Sequence, residues 1–170
     1  IPLPEAASDR DWELCLERFD VTREPNEAFG FGWTVEIDPY DATVQPKKRT
    51  ALGRFKHEAV NLVVAPDGRI VVYSGDDARF EYVYKFVSRD AWDGQTPNPN
   101  LLDHGTLYVA RFLPDGKGEW LPLIHGRNGL DEANGFSEQA DVLIRTRMAA
   151  DHLGATKMDR PEWIAVNPRD

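Results

Sequence analysis

Apolar and polar residues alternate cleanly in Phe31-Gly-Trp33-Thr-Val35-Glu-Ile37-Asp38. That period of two predicts a strand with Phe31, Trp33, Val35 and Ile37 on one face. Short apolar runs predict further strands over 49–55, 57–64, 70–73 and 80–87. Asp38-Pro39-Tyr40-Asp41, Pro66-Asp67-Gly68 and Gly75-Asp76-Asp77 supply turn residues between them. A weaker alternation, Trp12-Glu-Leu-Cys15-Leu-Glu17, predicts a short strand after a loose lead-in, with a polar loop over 20–29. After a long loop over 88–105, strands over 106–113 and 119–123 flank the turn Pro114-Asp-Gly-Lys-Gly118. Residues 137–153 change period: Val142, Leu143, Thr146, Ala149, Ala150 and Leu153 recur at helical spacing. Ser137 and Gly154 are the predicted caps of that helix. A last apolar run, 163–166, predicts a closing strand. Many short strands at steady spacing predict a mainly β chain, either a sandwich or propeller blades.

At 170 residues the chain is expected to be one domain with a sizeable core. The net charge of −9 argues against non-specific nucleic-acid binding, which needs Lys and Arg against phosphates. Acidic excess suits hard cations, which take oxygen ligands. The single cysteine, Cys15, leaves no intrachain disulfide and leaves the redox compartment open. No apolar run approaches the length of a membrane span, and no signal peptide is visible. Because the chain opens on Ile1 and not Met, a preceding segment is expected.

The candidate chemistry gathers at Asp159-Arg160-Pro161-Glu162-Trp163. On an extended segment, Arg160 and Glu162 project to one side. Pro161 fixes its own φ and pushes Arg160 towards an extended conformation. The pair can bind an anion through Arg160 while Glu162 holds a metal; a surface ion pair is the simpler alternative. His57 either orients Glu58 or points to the opposite face of its strand. Asp76 and Asp77 are either calcium ligands or an acidic turn. Phe31, Trp33, Tyr82, Tyr84 and Trp163 are expected in the core. His104 and His125 sit in loops without a motif. No nucleophile elbow and no glycine-rich phosphate loop is present.

Four stretches in order carry a resemblance. They are residues 31–41 (FGWTVEIDPYD), 49–58 (RTALGRFKHE), 75–86 (GDDARFEYVYKF) and 155–163 (ATKMDRPEW). Together they resemble the PhoX family of secreted alkaline phosphatases, over about residues 31–168. The resemblance implies a partial β-propeller, about two blades of antiparallel strands with one inserted α-helix near the C-terminus. It implies that residues 1–170 are one segment of a larger propeller domain whose other blades lie outside this chain.

The implied function is metal-dependent hydrolysis of phosphomonoesters, with calcium and iron (Fe3+) as cofactors and this chain inactive alone. Glu58, in the Phe-Lys-His-Glu stretch, matches a metal ligand of the family. Glu162, in Arg-Pro-Glu, matches another, and Arg160 matches the arginine that contacts phosphate. Cys15-Leu-Glu-Arg-Phe19 resembles a Cys-Glu-Glu-Asn-Phe motif whose cysteine binds iron, with departures at Leu16 and Arg18. The resemblance further implies phosphomonoester substrates, a monomer when full length, and a periplasmic or extracellular location. The alternatives are a non-catalytic calcium-binding propeller module and a lactonase-like propeller hydrolase.

Overall fold

The computed structural model describes residues 10–167, which fall into two compact units, Ile1–Gly32 and Trp33–Asp170. In the first unit, the alternation around Cys15 forms no strand. Trp12–Cys15 is instead one helical turn, α1, followed by a 3-10 turn over Glu17–Phe19. The reason is local. With no neighbouring strand to pair with, the chain satisfies its amides within turns, Leu16 N–H to Trp12 O and Phe19 N–H to Leu16 O. Trp12, Phe19 and Phe31 then pack as a small aromatic row.

The second unit begins with a two-residue ribbon, β1 (Val35–Glu36) against β2 (Lys47–Lys48). The clean alternation over 31–38 thus yields little strand, and its expected buried face is exposed at Phe31, Val35 and Ile37. Residues 49–55 form a 3-10 turn over Thr50–Leu52 and not a strand.

The remaining strands follow the sequence closely. They are β3 (His57–Val64), β4 (Arg69–Asp76), β5 (Arg79–Glu81), β6 (Val83–Ala91), β7 (Gly105–Phe112) and β8 (Gly118–Pro122). Five of them make one antiparallel sheet in the order β3-β4-β6-β7-β8. Tight turns join β3 to β4 and β7 to β8; Gly68 and Gly116 adopt φ near +82°, where a side chain would be strained.

One face of the sheet carries Ile70, Val72, Tyr84, Phe86, Leu107 and Val109, all buried. Against it pack Leu123, Leu130 and Phe136 and the helices α2 (Gln139–Ile144) and α3 (Thr146–His152). The single helix expected over 137–153 is broken at Arg145. The Leu143 carbonyl, which an unbroken helix would give to residue 147, accepts Arg54 N–H at 3.0 Å and the Thr146 hydroxyl at 2.6 Å. Glu138, not Ser137, precedes the first turn, while Gly154 ends α3 at φ 67° as expected.

The closing strand is displaced as well. Residues 163–166 pair with no strand; the ladder forms earlier, where β9 (Met158–Asp159) pairs with β5. Tyr82 and Tyr84 are core residues, but Phe31 and Trp163 are exposed and Trp33 is half-buried. The chain is mainly β with antiparallel sheets, the class expected for part of a propeller. Among the described residues, no helix is long and apolar enough to cross a membrane.

Candidate active site

Glu58 stands on β3 directly across from Gly75 on β4. Cross-strand partners share a face. Both therefore point away from the helices, since they alternate with Asp76 and Ser74, which lie on the core side. Gly75 is required here by close approach: a Cβ on it would lie 2.1 Å from the Pro161 carbonyl oxygen and 2.7 Å from that of Glu162. The Pro161-Glu162 backbone therefore lies flat on β4 beside Glu58. Asn61, two residues beyond a bulge in β3, clamps the same segment by donating to the Ile164 carbonyl at 2.6 Å. The fold thus brings Glu58, Arg160 and Glu162 into one neighbourhood, although about a hundred residues separate the first from the last.

Arg160 does not adopt the extended conformation expected before Pro161. Its φ is +56°, a left-handed conformation that costs a non-glycine residue on the order of 1–3 kcal/mol. The β5–β9 ribbon forces this turn, since Arg160 N–H donates to the Ala78 carbonyl at 3.3 Å. Ala59 and Phe80, on the segments framing the same place, also have positive φ. The Arg160 side chain is held by Nη2, which donates to Asp77 Oδ2 at 2.9 Å and sits 3.3 Å from Glu162 Oε1. The hydrogen bond to Asp77 and the nearby carboxylates raise the Arg160 pKa, so it stays charged. Among the described residues, Nε and Nη1 of Arg160 have no partner, and the side chain is half exposed. That leaves Nε–H and the Nη1 hydrogens, on different sides of the guanidinium, as donors for an anion.

Arg160 and Glu162 do reach the same side, but through this turn and not through an extended strand. Glu58 is half-buried and, among the described residues, engages no hydrogen-bond or ion-pair partner. His57 points to the opposite face. It stacks on Phe55, its Nε2–H donates to the Gly53 carbonyl (3.0 Å), and its Nδ1 lies 3.0 Å from Ser74 Oγ. Burial pushes its pKa down, so it packs as a neutral ring.

The acidic turn divides into two roles that the sequence did not separate. Asp76 is fully buried and bound by Arg147 of α3, Nε to Oδ2 at 2.7 Å and Nη2 to Oδ1 at 2.6 Å. Asp77, next to it, faces Arg160. A doublet of aspartates in a turn gives no signal of this division; only the pairing arginines, far along the chain, reveal it.

Cys15 is exposed and belongs to the first unit. Among the described residues no group of three or more His, Cys, Asp or Glu side chains is placed to hold a metal ion. Glu58 and Glu162 have the hard oxygen donors that calcium and ferric iron take. They are too few to close a site, so this chain alone does not fit either ion.

A separate cavity of about 600 Å3 opens at the other end of the sheet, beside Ser88, Arg89, His104 and Tyr108. Its cations are already engaged, Arg69 by Asp67 and Arg89 by Asp90. The half-exposed guanidinium of Arg160 is the better candidate.

Residues 6–170 match the family model described as "Alkaline phosphatase PhoX". A solved structure, "Pseudomonas fluorescens PhoX in complex with vanadate, a transition state analogue", is similar to this chain at 54% sequence identity with a TM-score of 0.90. The match covers 94% of this chain and 29% of that one, so the chain spans less than a third of the length of this relative. No curated protein matches the chain.

Proposed function

Because the chain belongs to the PhoX family of alkaline phosphatases, we propose that it is part of a hydrolase of phosphomonoesters, with Arg160 on the substrate phosphate. The observation that carries this reading is the Arg160 fork. It is pinned through Nη2, keeps hydrogens on Nε and Nη1 as separate donors, and is set beside Glu58 and Glu162. The similar structure was solved with vanadate, named there as a transition state analogue.

A phosphomonoester is a dianion with a poor leaving group. N–H donors of the charged Arg160 guanidinium would hold phosphoryl oxygens and stabilise charge on the transferring group. The neighbouring Glu162 and Asp77 carboxylates keep the guanidinium oriented and repel a phosphate that enters from their side. Water activation is not assigned to any residue of this chain.

Calcium and iron are the ions of the proposal. Glu58 and Glu162 would offer carboxylates to them, and the other ligands would come from outside this chain; Cys15, in the first unit, is by itself the candidate thiolate donor to iron. Metal-dependent action is coherent with the charge of the substrate. A periplasmic or extracellular location and a monomeric full-length protein complete the reading; cell fractionation and sedimentation test these.

The test is on the full-length protein, purified with calcium and assayed on a simple aryl phosphate beside Arg160→Ala and Glu162→Ala, with elemental analysis. Turnover with bound calcium and iron, reduced about 10²- to 10³-fold in Arg160→Ala, is the expected result. Bound calcium with no iron and no turnover would instead favour the non-catalytic calcium-binding module.

A further inference from the structure

We propose that Asp77 is a positioning residue for Arg160: it anchors the guanidinium beside Glu58 and Glu162, where the phosphate would bind. This rests on the reading of Arg160 as the phosphate-gripping residue.

A single short turn holds Arg160 at both ends. The Ala78 carbonyl takes its backbone N–H, and the Asp77 carboxylate takes its side chain. Asp77 Oδ2 accepts from Nη2 at 2.9 Å, while Oδ1 lies 2.8 Å from the same nitrogen without a hydrogen bond. An arginine anchored in this way spends Nη2 on its anchor and keeps Nε–H and the Nη1 hydrogens, which point to different sides of the guanidinium, as separate donors.

The anchor is itself rigid. Asp77 N–H donates to the Lys56 carbonyl at 3.0 Å, just ahead of β3 and Glu58. Asp76 beside it is buried and clamped by Arg147. Among the described residues, the Asp77 carboxylate pairs with no cation but Arg160. Its side chain is mostly buried, whereas that of Arg160 is half exposed, so the aspartate is the fixed member and the arginine the positioned one. An arginine stem has several rotatable bonds, and a fixed partner converts it into a preorganised cation.

The experiment uses the full-length protein and two readouts, calorimetric titration with inorganic phosphate and turnover of an aryl phosphate. The variants are Asp77→Asn, Asp77→Ala, Arg160→Ala and Asp77→Ala/Arg160→Ala. Expected are a loss of about 10- to 100-fold in kcat and weaker phosphate binding for Asp77→Ala. Asp77→Asn, which keeps the shape and one acceptor, falls between it and wild type. In the Arg160→Ala background the Asp77→Ala loss disappears, because the residue to be positioned is gone.

A purely structural Asp77 would cost the same with or without Arg160, and that additive result would overturn the proposal. So would wild-type phosphate binding and turnover in Asp77→Ala. If Asp77→Ala does not fold, the same cycle run with Asp77→Asn decides. Phosphate binding without turnover in wild type would sink the hydrolase reading while the binding cycle still judges Asp77. No phosphate binding in wild type would sink both.

Discussion

Arg147 and Asp76 meet as a two-point ion pair at 2.6 and 2.7 Å, with the carboxylate wholly buried and the guanidinium partly in solvent. Lys56 N–H adds a third bond to Asp76, at 3.3 Å. Helix α3 is thereby tied to the end of β4 and to the turn that carries Asp77. Removing the cation leaves a buried charge without its partner, whereas removing both leaves only a cavity. Arg147→Met is expected to destabilise by about 3 kcal/mol. The double variant Arg147→Met/Asp76→Leu is expected to recover a large part of that loss. Denaturant midpoints of the full-length protein check both; equal losses in the single and double variants would show that the pair is not coupled.

Gly75→Ala places a methyl group where the Pro161 carbonyl stands, 2.1 Å away, and backbone cannot yield as a side-chain tip can. Segment 161–162 must lift off β4 and carry Glu162 with it. A loss of about 1–3 kcal/mol is expected from overpacking. Phosphatase turnover should fall with it, because Glu162 moves relative to Glu58. Gly116→Ala, where a Cβ meets nothing, should lose stability only through its φ of +82° and leave turnover unchanged. Turnover assays on the two variants separate the cases.

His57 gives a pH dependence whose sign follows from burial. Its folded pKa lies below the ordinary 6.5, so the unfolded chain takes up a proton that the folded chain refuses. Stability is therefore full above about pH 6.5 and is lost as pH falls towards the depressed folded value. Thermal midpoints should drop between pH 7.5 and 5.5, and His57→Gln should flatten that part of the profile while lowering its plateau. An unchanged slope in His57→Gln would assign the acid sensitivity to other groups.

The 170-residue chain alone is expected to show no phosphatase turnover under conditions where the full-length protein is active. β3 is the outer strand of its sheet, and Val60, Leu62 and Val64 stand exposed along it. Light scattering should show self-association of the isolated chain, suppressed by Leu62→Lys. Robust activity from the isolated chain would contradict the proposed dependence on ligands from elsewhere.

The sheet was legible in the sequence because β3, β4, β6, β7 and β8 combine apolar runs with strong turn signals such as Pro66-Asp67-Gly68. Propensity failed where pairing decided the outcome. Residues 31–38 alternate as well as any strand in the chain, yet only β2 is available to them, and two residues pair. The helix over 137–153 was visible by period, but its break depends on Arg54, some ninety residues earlier, taking the Leu143 carbonyl. Arg160, Glu162 and Glu58 were visible through their motifs. The left-handed Arg160 ran against the expectation from Pro161, because the β5–β9 ribbon outweighs a local preference. Asp77 carried no signal of its own; its meaning comes from a partner 83 residues away.

That separation has a kinetic consequence. The bond between Asp77 and Arg160 closes one of the longest loops in the chain, and contacts of high sequence separation form late. The sheet can assemble from neighbouring hairpins, each closing a short loop, before segment 158–164 settles onto β5 and Gly75. Arg160 is therefore expected to reach Asp77 last, on a scaffold that is already built, so that the acidic turn forms before its cation arrives.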